Sequence, residues 1–197
     1  MNAASAFPSS RRLRCLLLAL LLGPVVAHAA GWDIDQLMHG LAQIRSDHAR
    51  FVEKKTIAML DRPVESSGEL FYRAPDHLEK RTIEPKPEAM ILDHGTLVIA
   101  RGGQKRELQL QDYPELAVFI DSIRATLAGD RKALERNYRL SLAGTAEHWT
   151  LQLLPLAEKA VVKQIRIAGT GDALRSVAIT QADGDSSLML IEPLAAP

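Results

Sequence analysis

The sequence predicts a mainly β, α+β protein: a strongly curved antiparallel sheet or incomplete barrel with amphipathic helices laid into its concave side. Two observations predict it. About ten or eleven short runs alternate apolar and polar residues in β fashion, with Gly, Pro or Asp turns between them. Only two stretches beyond residue 30 carry a substantial helical apolar stripe. So many strands shelter both helices best if the sheet wraps around them, which also disposes of exposed sheet edges.

The chain opens on a segment that reads as an export signal. Arg11, Arg12 and Arg14 form a positive start, Leu16 to Leu22 with Val25 and Val26 an apolar core, and Ala27-His28-Ala29 a small-residue cleavage site, predicting cleavage after Ala29. Gly23-Pro24 breaks the apolar run, which falls short of the roughly 20 residues a membrane span needs. Leu13-Arg14-Cys15 follows the arginine pair where a twin-arginine signal has an apolar pair, so the general secretion route is expected. The expected organisation is therefore a signal peptide, 1–29, and one domain, 30–197.

Removing that segment changes the chemistry of what remains. Cys15 is the only cysteine and leaves with it, which excludes disulfides, a thiol nucleophile and thiolate metal sites from the exported part. The full chain has 24 basic and 24 acidic residues; without the three arginines the balance is 21 to 24, a net charge of −3. No basic stripe marks a nucleic-acid partner. A domain of this length buries roughly 70% of its unfolded surface, so packing alone supports it.

The elements follow in order. Asp33 stands at an N-cap with Gln36 three residues on, and Ile34, Leu37, Met38, Leu41 and Ile44 continue at helical spacing, predicting a helix over about 34–47. Phe51 to Leu60 and Val64 to Tyr72 read as strands around an Asp61-Arg62-Pro63 turn. Segments 77–84, 89–93, 96–101 and 105–110 are β-like and separated by Pro85-Lys86-Pro87, His94-Gly95 and Gly102-Gly103. Asp112, with Pro114 in the first turn and Glu115 three residues on, predicts a second helix capped by Asp112. Its apolar face is Leu116, Phe119, Ile120, Ile123 and Leu127, and Gly129 ends it. A short helical piece over 131–136 precedes alternation at Leu140 and Leu142, Trp149 to Leu153, Ile165 and Ile167, Val177 and Ile179, and Leu188 and Leu190. If the helices pack tightly against the sheet, the interior is a core; if they lift, it is a lipid pocket.

Catalytic chemistry is thinly represented. His39, His48, His77, His94 and His148 form neither a His-x-x-x-His nor an HExxH pattern, so no metal site is expected. No Gly-x-Ser-x-Gly elbow is present. Glu65, Glu69, Glu79 and Glu84 alternate along strands with Lys80, Arg81 and Lys86 nearby, which reads as a solvated, edge-protecting face. Neither an enzyme nor a cofactor is expected.

Gly68-Glu69-Leu70-Phe71-Tyr72-Arg73-Ala74-Pro75 resembles the Gly-x-Leu-aromatic strand, basic residue and Pro of the periplasmic outer-membrane lipoprotein carrier (LolA-like) family. Asp93-His94-Gly95-Thr96-Leu97 is similar to its Asp-Gly-x-x-Leu turn, and the helix leading into Ala49-Arg50-Phe51 matches its element order. The chain looks like a divergent member, with Ala74 where the family has a second basic residue, Val98 where it has Trp, and Lys80 near a family aromatic. The resemblance implies an unclosed β-barrel with a helical lid and an apolar cavity. It implies a periplasmic monomer taking an acylated lipoprotein or other lipid-linked cargo from an inner-membrane donor complex towards an outer-membrane acceptor. A lipid-sensing or partner-binding module of the same fold is the alternative, and an exported hydrolase the third.

An acyl chain gains about 0.8 kcal/mol per methylene hidden from water, so a long chain crosses an aqueous gap only inside an apolar cavity. Residues expected to line one are Leu37, Met38, Leu41 and Ile44 on the first helix, Phe119, Ile120 and Ile123 on the second, and Leu70, Tyr72 and Met90 on strands.

Overall fold

The computed structural model describes residues 32–194. The segment read as an export signal lies outside the described residues. In chain order the elements are α1 (Ile34–Leu41), β1 (Ser46–Thr56), β2 (Val64–Arg73), β3 (His77–Glu84), β4 (Glu88–Asp93), β5 (Thr96–Arg101), β6 (Gln104–Gln109), α2 (Pro114–Leu127) and α3 (Arg131–Glu135). There follow β7 (Tyr138–Gly144), β8 (Trp149–Pro155), β9 (Val162–Thr170), β10 (Ala173–Gln181) and β11 (Ser186–Pro193).

All eleven strands form one antiparallel sheet in the order β6-β5-β4-β3-β2-β1-β11-β10-β9-β8-β7. The sheet is not closed: β6 and β7 are its two edges, and the chain between them is the helical insertion carrying α2 and α3. The helices thus connect the edges that a barrel would have paired. β6, Gln104-Lys105-Arg106-Glu107-Leu108-Gln109, is almost wholly exposed and charged, a composition that discourages pairing with another chain.

Local chemistry accounts for the well-read boundaries. The Asp33 side chain accepts from the Gln36 backbone N–H at 2.9 Å while the Gln36 side chain accepts from the Asp33 N–H, a complete capping box. The turns His94-Gly95 and Gly102-Gly103 have both central residues at positive φ, the conformation that matches strand twist in a two-residue hairpin. Gly129 ends α2 at φ 65°, and a Cβ there would collide with the Met38 carbonyl; the glycine lets α2 close onto α1.

Three expectations are corrected. The first helix stops at Leu41 instead of continuing to about 47, because residues 46–49 pair with 70–73 of β2, and Ala49 with Pro193 of β11. Ile44 sits in the connection, partly buried against the core. Asp112 does not cap α2: Leu110–Asp112 form a 3-10 turn, Tyr113 takes the cap position with no side-chain bond, and Pro114 opens the helix. In β11 the inward residues are Met189 and Ile191, since Ile191 pairs with inward Phe51; Leu188 and Leu190 face outward and are exposed.

The apolar interior has two parts. The larger packs Leu37, Met38 and Leu41 of α1, Ala125 of α2 and Leu134 of α3 against Trp149, Leu151, Leu153, Ile165 and Ile167. The smaller is Leu92, Leu97 and Leu110, with Leu116, Ala117 and Ile120 of α2 laid against them. A cavity runs between the two, under α2.

Candidate functional site

The cavity has a volume of about 1140 Å³. That exceeds the roughly 300–1,000 Å³ of an ordinary small-molecule pocket. Its wall includes residues from Asp47 to Lys55 of β1, a run of roughly 26 Å at the rise of an extended strand. Leu70, Tyr72, Leu78, Met90, Leu92 and Leu97 line the wall on one side, and Leu174, Val177, Ile179, Met189 and Ile191 line it on the other. The roof is α2, through Leu116, Phe119, Ile120, Ile123 and Leu127.

The way α2 sits explains why the space is open. The residues it buries are Ser122, Ala125 and Thr126, not its large apolar ones. Buried hydroxyls need partners, and the helix supplies them from its own backbone: Ser122 Oγ donates to Phe119 O at 2.6 Å and Thr126 Oγ1 to Ser122 O at 2.8 Å. The small polar face packs close, while Phe119, Ile123 and Leu127 against the larger cluster and Ile120 against the smaller are only half-buried, and all four line the cavity.

Of the ten residues named from the sequence, Leu70, Tyr72, Met90, Phe119, Ile120 and Ile123 line the cavity. Leu37, Met38 and Leu41 are 1%, 3% and 0% exposed in the packed core, and Ile44 packs against it; none of the four is on the cavity wall.

Register places the mouth. Lys55 and Ser187, which pair, and Gln181 and Val162, which pair, lie at one end of the sheet and line the cavity, as do Tyr138 and Pro155. Leu156, Lys159 and Val161, also on the wall, are exposed there. Asp47, Tyr72 and Leu97 lie at the opposite end, where Tyr72 and Leu97 are buried and Glu115 of α2, also on the wall, is exposed.

The sequence reading missed the polar groups inside. Lys80, read as part of a solvated face, points inward, because it pairs with Leu70 and Met90, both on the cavity wall. Its ammonium meets the Glu53 carboxylate and lies 4.8 Å from the Phe51 ring centroid. Glu53 is 4% exposed, the one buried charged residue among the described residues, and Lys55 Nζ stands 3.8 Å from its other oxygen. Strict alternation through Ala49, Phe51 and Glu53 was the signal that would have found it. Glu79, by contrast, pairs with Arg81 on the outer face at 2.6 Å.

At that opposite end, Tyr72 is buried and its hydroxyl has no hydrogen-bond partner among the described residues. Burial raises its pKa above the usual phenol value. Burial likewise raises that of Asp47, partly offset by the His48 N–H that its carboxylate accepts at 2.8 Å. No group of three or more His, Cys, Asp or Glu able to hold a metal occurs among the described residues, and no described helix is long and apolar enough to cross a membrane.

Residues 26–196 match the model of a protein family described as outer membrane lipoprotein carrier protein LolA-like. The chain belongs to this family. Similar solved structures include a LolA superfamily protein from Nitrosomonas europaea, 9% identical over 85% of this chain and 96% of that one, with a TM-score of 0.41. A chain of the Pseudomonas aeruginosa MucA/MucB complex is 14% identical over 84% of this LolA-like chain and 59% of its own length, with a TM-score of 0.47. LprF from Mycobacterium bovis is 10% identical over 83% of this chain and 93% of that one, at a TM-score of 0.32. No curated protein matches the sequence.

Proposed function

We propose that this LolA-like protein is a periplasmic carrier that holds the acyl chains of a lipoprotein or other lipid-linked molecule beneath α2 and moves it from the inner towards the outer membrane. One observation carries the reading: α2 buries Ser122 and Thr126 and leaves Phe119, Ile120 and Ile123 over the cavity. A helix selected only for packing would bury the larger apolar face, worth about 1.5–3 kcal/mol per side chain. A lid over an acyl chain has the reverse need, since the cargo completes the burial. Leu60, Leu156 and Val161, exposed at the mouth end, suit transfer to an apolar surface.

The test is isolation of the exported protein without detergent, followed by mass spectrometry of extracted lipid. Co-purification of an acylated molecule in near-stoichiometric amount is expected. Its absence, together with failure to take up a fluorescent fatty-acyl probe, would contradict the reading.

A second reading is a protein-docking module. Val52 on β1 pairs with Leu190 of β11, and with Leu188 they form an exposed apolar strip, at 55%, 55% and 46% exposure, on the sheet's outer face. A partner held by that strip would be released by Leu190→Asp, which leaves acyl uptake unaffected.

A further inference from the structure

The Glu53–Lys80 pair stands on the wall of a cavity that is otherwise lined largely by apolar side chains. Buried ion pairs contribute little net stability, because desolvation offsets their attraction, and apolar residues in their place pack as well or better. Packing alone therefore does not call for this pair, with Glu53 buried and Lys80 part-buried on the wall of a ligand-sized space. The charges around it are unequal. Lys55 and Lys80 flank the single carboxylate of Glu53, and Arg136 and Lys159 also line the mouth end of the cavity. The cavity's other acidic lining residues lie elsewhere: Asp47 and the exposed Glu115 belong to the opposite end, and Glu79 pairs with Arg81 outside. Gln181 and Ser187 add uncharged polar groups at the mouth.

We propose that Lys80, Lys55 and Glu53 form a headgroup site, selecting amphiphiles whose acyl chain lies under α2 and whose head carries a phosphate or carboxylate. This rests on the carrier reading of the cavity and adds the charge of its cargo. Lys80 and Lys55 donate hydrogen bonds to the anion, while Glu53 holds both ammonium groups in place and keeps the site from gripping too tightly. A cationic head meets four positive groups and one negative, and is disfavoured.

The test uses an uncharged naphthylamine fluorophore bound in the full exported protein and displaced by compounds sharing one sixteen-carbon chain. Palmitate and hexadecyl phosphate are expected to compete at concentrations roughly tenfold below hexadecanol, the effect of one charge-assisted hydrogen bond, and hexadecylamine above it. Inorganic phosphate, which has no chain, displaces nothing. Lys55→Gln lowers the preference for palmitate over hexadecanol and Glu53→Gln raises it, opposite directions that a merely structural role does not produce. Should Glu53→Gln fail to fold, Lys55→Gln and Lys159→Gln, at exposed positions, carry the test and both lower the preference. If the fluorophore is displaced equally by palmitate and hexadecanol, the headgroup site is wrong and the carrier reading stands. If the fluorophore never binds, both fall.

Discussion

Thr126 donates its hydroxyl to the carbonyl of Ser122 at 2.8 Å, and both side chains are buried, while Ile123 between them lines the cavity. The small residues of α2 are therefore its most deeply buried, while its apolar stripe packs only in part, Phe119, Ile123 and Leu127 against the larger cluster, and also lines the cavity. Gly129 brings the end of α2 against Met38 of α1, and α3 follows directly, with Asp130 accepting from the Ala133 N–H at 2.9 Å. The covering helix is anchored at its C-terminal end and meets the smaller apolar cluster at its other end through Leu116 and Ile120.

Ile120→Asp and Leu41→Asp separate wall from core. Ile120 is half-buried on the cavity wall, so its Asp variant keeps a cooperative unfolding transition but loses acyl-probe binding by at least about tenfold, from the cost of placing a charge against the chain. Leu41 is 0% exposed in the packed core, and its Asp variant does not fold. Circular dichroism melts alongside probe titration read both outcomes.

Tyr72→Phe removes a buried hydroxyl with no partner among the described residues. The expected change is a gain in unfolding free energy of about 1 kcal/mol, measured by urea titration of the lipid-free protein. A loss of stability would mean that the hydroxyl is satisfied by water.

Lys80→Met leaves Glu53 buried with only Lys55, at 3.8 Å, to answer its charge. A cost of about 3 kcal/mol is expected, and the double variant Glu53→Gln/Lys80→Met recovers most of it. Denaturant midpoints of the two variants test the pairing.

Asp47 carries a pKa raised by burial above 3.8. The folded state therefore binds a proton more readily than the unfolded one, so this group favours folding at low pH and that contribution is lost as pH rises through the folded pKa. Asp47→Asn is expected to be more stable than the parent at neutral pH, with the advantage gone below about pH 3.8. Melting temperatures across that range check it.

The sequence made some elements legible and hid others for physical reasons. The α1 capping box and the two hairpin turns are local devices, complete within four residues, and they were readable. The end of α1 was not: Ile44 continues the helical spacing, and only pairing with residues some 25 positions away decides that 46–49 are strand. The unclosed curvature followed from element counts and from the family resemblance. The orientation of Lys80 did not, because His77-Leu78-Glu79-Lys80-Arg81-Thr82-Ile83-Glu84 has no clean alternation; only Lys80's partners Leu70 and Met90 give its direction. β11 posed a related problem, since Leu188 and Leu190 interleave with Met189 and Ile191, and one residue of register exchanges the faces. For α2 the apolar stripe was correctly placed, but periodicity says nothing about whether a stripe meets packed side chains or open space.

That last distinction is what a photoreactive palmitoyl probe measures most directly. The exported protein is irradiated with the probe bound, digested, and the labelled peptides identified by mass spectrometry. Labels are expected within α2 at Leu116, Phe119, Ile120, Ile123 or Leu127 and on the peptides carrying Met90 and Met189, all of which line the cavity. Labels confined to exposed Met59 or to the outer strip of Val52, Leu188 and Leu190 would contradict this, and would mean that α2 covers a space no acyl chain enters.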